Sequence, residues 1–421
     1  MNATVAKLVT ERGYQARPQK YLVKLIILMG LVALLDQYIS MIKTTAIPFA
    51  IKEYGLTASE FSWYEALYLA STFLIFLLNG LTDIIGRKFS ILVLTLMMGL
   101  SSLAIVFFTP RFHLFMIFYT LAMFTTVSNM WSIPISEESP ADKRAKYVSI
   151  VYVIGLIPLQ AILPPILENM LGLSWKWMYG VAFLMMLPVL VIWLSMKETK
   201  RYETIVAERR SGERKRHFYG LGVINKQDWR YIAIASSIWL CWLVYSMLYF
   251  WAGYYFMTVN GYTLNQWSLT LLATLIMAII GGLTSGAIMD KVGRKPAFVV
   301  GCISLCLVLL VLGFAEGWLL PVAAIITGYF TSFTYTWIVV YIPEVFPTER
   351  RGACMGWTTT IARVSYVVGP ALAAILLKAS PTMEWFWVAA AAIVLIPIGI
   401  ILTVNPYETK TKELEEIEVK R

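Results

Sequence analysis

The chain has 421 residues, 59% of them hydrophobic and only 14% charged. A soluble globular protein carries roughly a quarter charged residues, so no soluble fold of this size hides so much apolar surface. The formal net charge of +10 raises nucleic acid as a partner, but the placement of the cations points to lipid instead.

Residues 1–21 are polar and basic. The apolar run after them is too long for a signal peptide and has no small-residue cleavage site. Twelve apolar stretches follow, at 22–46, 61–82, 89–109, 113–134, 146–168, 177–196, 230–257, 267–289, 297–315, 318–342, 353–378 and 385–404. Each is long enough to cross a bilayer as a helix, which takes about 17–25 residues. Of the 35 Lys and Arg, four lie between spans on the side away from the termini (Lys52, Arg111, Lys176, Lys378) and two lie inside spans (Lys43, Arg363). The rest collect on the side of the termini. That positive-inside bias places both termini in the cytoplasm and predicts a multi-pass protein of the plasma membrane. The basic excess then faces anionic lipid and not nucleic acid.

The partition is an N-terminal segment (1–21), a six-helix bundle (22–196), a linker (197–229), a second six-helix bundle (230–404) and a tail (405–421). In the linker Glu203, Glu208 and Glu213 alternate with basic residues, as in a solvated segment with a surface helix. Pro158 and Pro164-Pro165 in the fifth span and Gly369-Pro370 in the eleventh predict bends. Cys241, Cys302, Cys306 and Cys354 sit in apolar spans without a CxxC pair and read as small packing residues. No metal or cofactor is implied. No GxxxxGK[ST] loop occurs, so ATP is not the energy source. The core holds no nucleophile–base pair, so the chain is not expected to be an enzyme.

A pair of charged signatures recurs 207 residues apart. The first reads Asp83-Ile-Ile-Gly86-Arg87-Lys88, then Glu137-Glu-Ser-Pro140-Ala-Asp-Lys-Arg144. The second reads Asp290-Lys-Val-Gly293-Arg294-Lys295, then Glu344-Val-Phe-Pro347-Thr-Glu-Arg-Arg351. Lys197-Glu-Thr-Lys200 after the sixth span echoes Tyr407-Glu-Thr-Lys410 after the twelfth. The chain is a half-length unit used twice, an architecture common in secondary transporters. Gly86 and Gly293 supply the turn dihedrals, and Arg87 and Arg294 suit bidentate bonds to Glu137 and Glu344. With Asp83, Asp290, Arg144 and Arg351 they form a candidate cytoplasmic gate that closes as the halves meet.

These loops resemble those of the major facilitator superfamily, in its sugar porter and metabolite–proton symporter branch. Gly30-Leu-Val-Ala-Leu-Leu-Asp36, Ile47-Pro48-Phe49 and Lys52-Glu53-Tyr54-Gly55-Leu56 agree with that branch's first helix. The resemblance implies an all-α membrane protein of twelve transmembrane helices, arranged as two pseudo-symmetric six-helix bundles around a central cavity. There are departures. Asn79 stands where the first loop motif usually begins with Gly, and Gly286 is kept in the second. Met116-Ile117-Phe118 stands where sugar porters carry an arginine. Trp239-Leu-Cys-Trp242-Leu-Val-Tyr245 replaces the glutamine element of hexose carriers, although Tyr254-Tyr255 matches the tyrosines that follow it. The scaffold transfers and hexose specificity does not.

Asp36 lies deep in the first span, where a charge costs about 2.5–3.5 kcal/mol on insertion scales. It is the expected proton carrier. Lys43, two turns on, and Arg363 in the eleventh span face the same cavity on this reading. Two cations against one anion then leave an excess positive charge and favour an anionic substrate. The alternatives are that Lys43 snorkels to the surface and that Arg363 serves backbone carbonyls. In the resembled fold the first, fourth, seventh and tenth helices face the centre. The further cavity candidates are Tyr38, Asn129, Trp131, Trp242, Tyr245, Tyr249, Tyr335 and Trp337, with Gln160 on the fifth. The function expected is proton-coupled uptake of a small polar metabolite such as an organic acid or sugar. An exporter of organic cations by proton antiport and a non-transporting nutrient sensor are the alternatives. A monomer suffices for transport.

Overall fold

A computed structural model describes residues 17–75, 77–78, 85–126, 130–139, 144–211, 224–346 and 351–410. Among these, every regular element is helical. In the first half α1 is Gln19–Tyr54 and α2 is Ala58–Leu69, continued by a 3-10 turn over Ala70–Leu74. α3 is Arg87–Phe107, and α4 is Phe112–Thr125 followed by Ser132–Glu138. α5 is Arg144–Gly155, Leu159–Pro165 and a π turn at Ile166–Met170, and α6 is Trp177–Trp193. In the second half α7 is Lys226–Tyr249 with a wider turn at Tyr255–Val259. α8 is Leu264–Val292, α9 Arg294–Phe314 and α10 Leu319–Glu344. α11 is Arg351–Ala362 and Ser365–Ala379, and α12 is Glu384–Val404. A helix at Lys200–Arg210 lies between α6 and α7. Nine helices among the described residues are long and apolar enough to cross a membrane, and two shorter apolar ones lie in α4 and α6. The architecture is an all-α membrane fold of two six-helix bundles.

Local signals account for the helix ends. α1 overruns its expected 22–46, continuing through Pro48 to Gly55, which caps it at φ 64°. Capping boxes open α2 (Thr57 with Glu60), α8 (Thr263 with Gln266) and α7 (Asn225 with Asp228). Gly86 and Gly293 take φ of 94° and 105° at equivalent turns, a backbone region that disfavours side chains.

Four spans are broken among the described residues, α7 at Phe250 and Trp251 before a short helix over Ala252–Tyr254. α5 is interrupted after Gly155, just before Pro158. In α11 the interruption falls at Arg363 and Val364, not at Gly369-Pro370, which lie inside the second piece. In α4 the helix ends at Thr125, with Thr126 extended, and helix begins again at Ser132. α10, the counterpart of α4, is continuous.

The two signature loops lie on one side, here termed the basic face. The bundles meet closely on the opposite face. There the Ser59 and Ser62 hydroxyls donate to the carbonyls of Ala374 (2.9 Å) and Pro370 (2.7 Å). Trp267 Nε1 donates to Thr45 Oγ1 at 3.0 Å. Gly253 lies so close to Thr44 that a Cβ would sit 1.8 Å from its carbonyl oxygen. Nearer the basic face, the rings of Tyr152 and Tyr335 face each other across the halves at 5.9 Å.

Candidate functional site

Four charged side chains are buried together in the transmembrane core: Asp36, Lys43, Glu65 and Arg363, none more than 1% exposed. Lys43 Nζ sits 2.7 Å from Glu65 Oε1. Tyr119 of α4 donates to the same oxygen at 2.6 Å. The ammonium also lies 4.3 Å from the ring centre of Phe250 in the second half, a cation–π distance. Lys43 therefore does not snorkel. Glu65, within the second expected span, is a second buried anion, so the expected positive excess is corrected. Among the described residues these four buried charges sum to zero, and the charge argument for an anionic substrate falls. A Glu four residues inside an apolar span was the available signal.

Asp36 and Arg363 converge on the break in α4. Asp36 Oδ2 accepts from Trp131 Nε1 at 3.2 Å, at the point where α4 resumes. Arg363 Nη1 donates to the carbonyl of Phe124 at 3.0 Å, and Nη2 donates to that of Thr126. An interrupted helix leaves carbonyls without intrahelical partners, and the guanidinium fork supplies them across the bundle interface. Asp36 and Arg363 lie within Coulombic reach of each other, and the Tyr366 ring lies 5.3 Å from the guanidinium carbon.

Of the other cavity candidates, Trp242, Tyr245 and Tyr335 cluster within the second half, and Tyr335 also meets Tyr152 of the first. Trp242 and Tyr335 rings are 4.7 Å apart, Trp242 Nε1 donates to Thr334 Oγ1 at 3.0 Å, and the Tyr245 and Thr331 hydroxyls share a hydrogen bond. Gln160 is fully buried, with Nε2 3.6 Å from Met41 Sδ and no partner for Oε1 among the described residues. Three further candidates likewise make their described contacts within one half. Tyr38 donates to the Met178 carbonyl of α6 at 2.6 Å. Trp337 stacks between Phe298 of α9 and Tyr341, at 4.4 and 4.5 Å. Tyr249 packs on Tyr245 and on Trp387 of α12. A helix that lines a cavity also packs on its own bundle, and aromatic residue type does not say which way it points. Asn129 lies outside the described residues.

The sequence profile of the Major Facilitator Superfamily matches residues 26–315 and 261–420. The chain belongs to that superfamily. YwtG of Bacillus subtilis, which carries the name of a metabolite transport protein, is 25% identical over 421 aligned positions, 89% of each chain. CsbC of the same organism, similarly named, is 25% identical over 281 positions, 58% of this chain and 60% of that relative. The solved structure of XylE, described as a proton:xylose symporter, superposes with a TM-score of 0.73 over 96% of this chain and 99% of its own. At 16% identity that likeness shows the fold alone. The protein is a membrane transporter of this superfamily and not an enzyme.

In this facilitator chain the basic-face signatures build the same network twice. Arg87 Nε and Nη2 donate to Glu137 at 3.1 and 3.0 Å, and Arg294 Nε and Nη2 donate to Glu344 at 3.4 and 3.2 Å. The Glu-Thr echo supplies the next layer. Glu198 accepts from the backbone N–H groups of Arg87 (3.0 Å) and Lys88 (3.2 Å). Glu408 accepts from those of Arg294 and Lys295, both at 3.0 Å. Each carboxylate caps the start of a helix, where orphan N–H groups and the helix dipole favour an anion. Thr199 and Thr409 donate to Glu137 and Glu344, each at 2.6 Å. The bonds named here each stay within one half. Asp83 lies outside the described residues, as do the side chains of Arg144, Asp290 and Arg351. The roles of Glu198, Thr199, Glu408 and Thr409 were visible in sequence only as an echo without a partner.

Proposed function

We propose that this transporter couples the inward movement of protons to uptake of a small polar metabolite, such as a sugar or organic acid, across the plasma membrane. Both termini lie in the cytoplasm on this reading, in keeping with the positive-inside bias. The observation that carries the coupling is the placement of Asp36. It is a fully buried carboxylate held by Trp131 at the break in α4, with Arg363 of the other half within Coulombic reach. A carboxylate poised between burial, which favours its neutral form, and a nearby cation, which favours its charged form, suits reversible protonation. The zero sum of buried charge and the Trp242, Tyr245 and Tyr335 cluster support a polar uncharged substrate as readily as an acid. The names of YwtG and CsbC as metabolite transport proteins agree.

Asp36→Asn tests the reading. In proteoliposomes carrying a pH gradient, the variant is expected to lose accumulation of a transported sugar or carboxylate while exchange without a gradient persists. Accumulation at the wild-type level would overturn the assignment.

A further inference from the structure

We propose that Lys43 and Phe250 form a cation–π latch on the pseudo-twofold axis, holding closed the face opposite the signatures. The latch involves no proton step, so its test is separate from that of Asp36. Phe250 stands 207 residues after Lys43. That offset relates the two signature loops, and also the first residues of α1 and α7, Gln19 and Lys226. Lys43 and Phe250 are therefore the same position of the duplicated unit. A residue on a twofold axis meets its own counterpart, and here the ammonium lies 4.3 Å from the centre of the Phe250 ring. One copy of the position is a cation and the other an aromatic face that attracts it. Glu65 has no such twin, since Leu272 stands 207 residues after it.

The contacts of the ammonium divide between the halves. From the first half, Glu65 Oε1 holds it at 2.7 Å. From the second come the Phe250 ring and, at 3.9 Å, Met247 Sδ. The ammonium is buried, where a cation–π contact is worth more than at a wet surface. The residues next to both partners make the seam. Thr44 meets Gly253 and Thr45 meets Trp267, while Trp251 packs edge-on against Phe61 at 6.2 Å. Phe250 and Trp251 are also where α7 breaks, so the ring sits at the joint between the main part of α7 and the piece that carries Gly253. Parting the halves strips the ring and the thioether from Lys43 and leaves its bond to Glu65 intact. Opening therefore costs the π contact and not the ion pair, and the buried charge is never left alone. The strength of the latch sets the fraction of molecules open on that face.

The test replaces Phe250 with mono-, di- and trifluorophenylalanine in protein carrying Ser59→Cys. Each fluorine draws electron density from the ring face with little change of shape, so the pull on the ammonium fades in steps. The introduced thiol is labelled with a water-soluble reagent in lipid nanodiscs, and labelling of the same proteins without Ser59→Cys is subtracted. The rate is expected to rise with each fluorine, by about tenfold across the series, as loss of a buried cation–π contact predicts. In the Lys43→Met/Glu65→Gln double variant, which has no cation there, the series is expected to be flat. A flat series with Lys43 in place would overturn the proposal. An equal slope in the double variant would do the same, because a ring that only fills space responds alike in both backgrounds. If the double variant fails to fold, the series with Lys43 in place decides.

Discussion

At the scale of single residues, the buried Lys43–Glu65 pair illustrates what low dielectric does to charge. Each ion alone is expensive; Lys43 and the Tyr119 hydroxyl both meet Glu65 Oε1, while Oε2 has no hydrogen-bond partner among the described residues. Breaking such a pair by removing one partner costs about 3–5 kcal/mol, because the other remains charged and buried. Lys43→Met and Glu65→Gln are therefore each expected to lower the thermal unfolding temperature of the purified protein sharply. The double variant recovers most of the loss. A double variant no more stable than the singles would show that the pair is not mutually compensated.

At the scale of helices, the ends follow local signals that the apolar spans alone did not place. Thr57, Asn225 and Thr263 start their helices as the capping-box pattern requires, and Gly55 stops α1. The sequence was less legible where one helix meets another. The α8–α10 crossing depends on Gly281 and Gly328, whose absent Cβ atoms let backbones approach. A Cβ on Gly281 would lie 2.2 Å from the Tyr329 carbonyl oxygen, whereas one on Gly286, a turn further along α8, would meet nothing within 4 Å. Gly281→Ala is expected to cost about 1–3 kcal/mol as overpacking against rigid backbone. Gly286→Ala serves as the neutral control, and equal unfolding temperatures for the two would contradict the close-crossing account.

At the scale of the whole molecule, the halves are sealed on the face opposite the signatures, and Gly253 against Thr44 is the tightest point of that seam. Alternating access requires the seam to close and part once per cycle. Gly253→Ala places a methyl group where Thr44 must lie, so closure on that face is blocked. Uptake is expected to be lost. A cysteine introduced by Ser59→Cys should then react with a membrane-impermeant thiol reagent faster in the Gly253→Ala background than without that substitution. Equal labelling in both backgrounds would sink this.

The amino-acid order alone determined the membrane class, the positions of the spans and the duplicated signatures. Each of those depends on composition within a window or on spacing along one strand of chain, and neither needs a partner from elsewhere. The tertiary structure decided which buried charges balance, what the aromatic candidates pack against, and where α4 and α11 are stitched together. Those outcomes depend on side chains far apart in sequence: Lys43 meets Glu65 at one remove, and Arg363 meets Phe124 only when two bundles dock. In a medium that offers no water to satisfy a stray charge or carbonyl, such long-range pairings are obligatory, yet nothing in the local pattern names the partner.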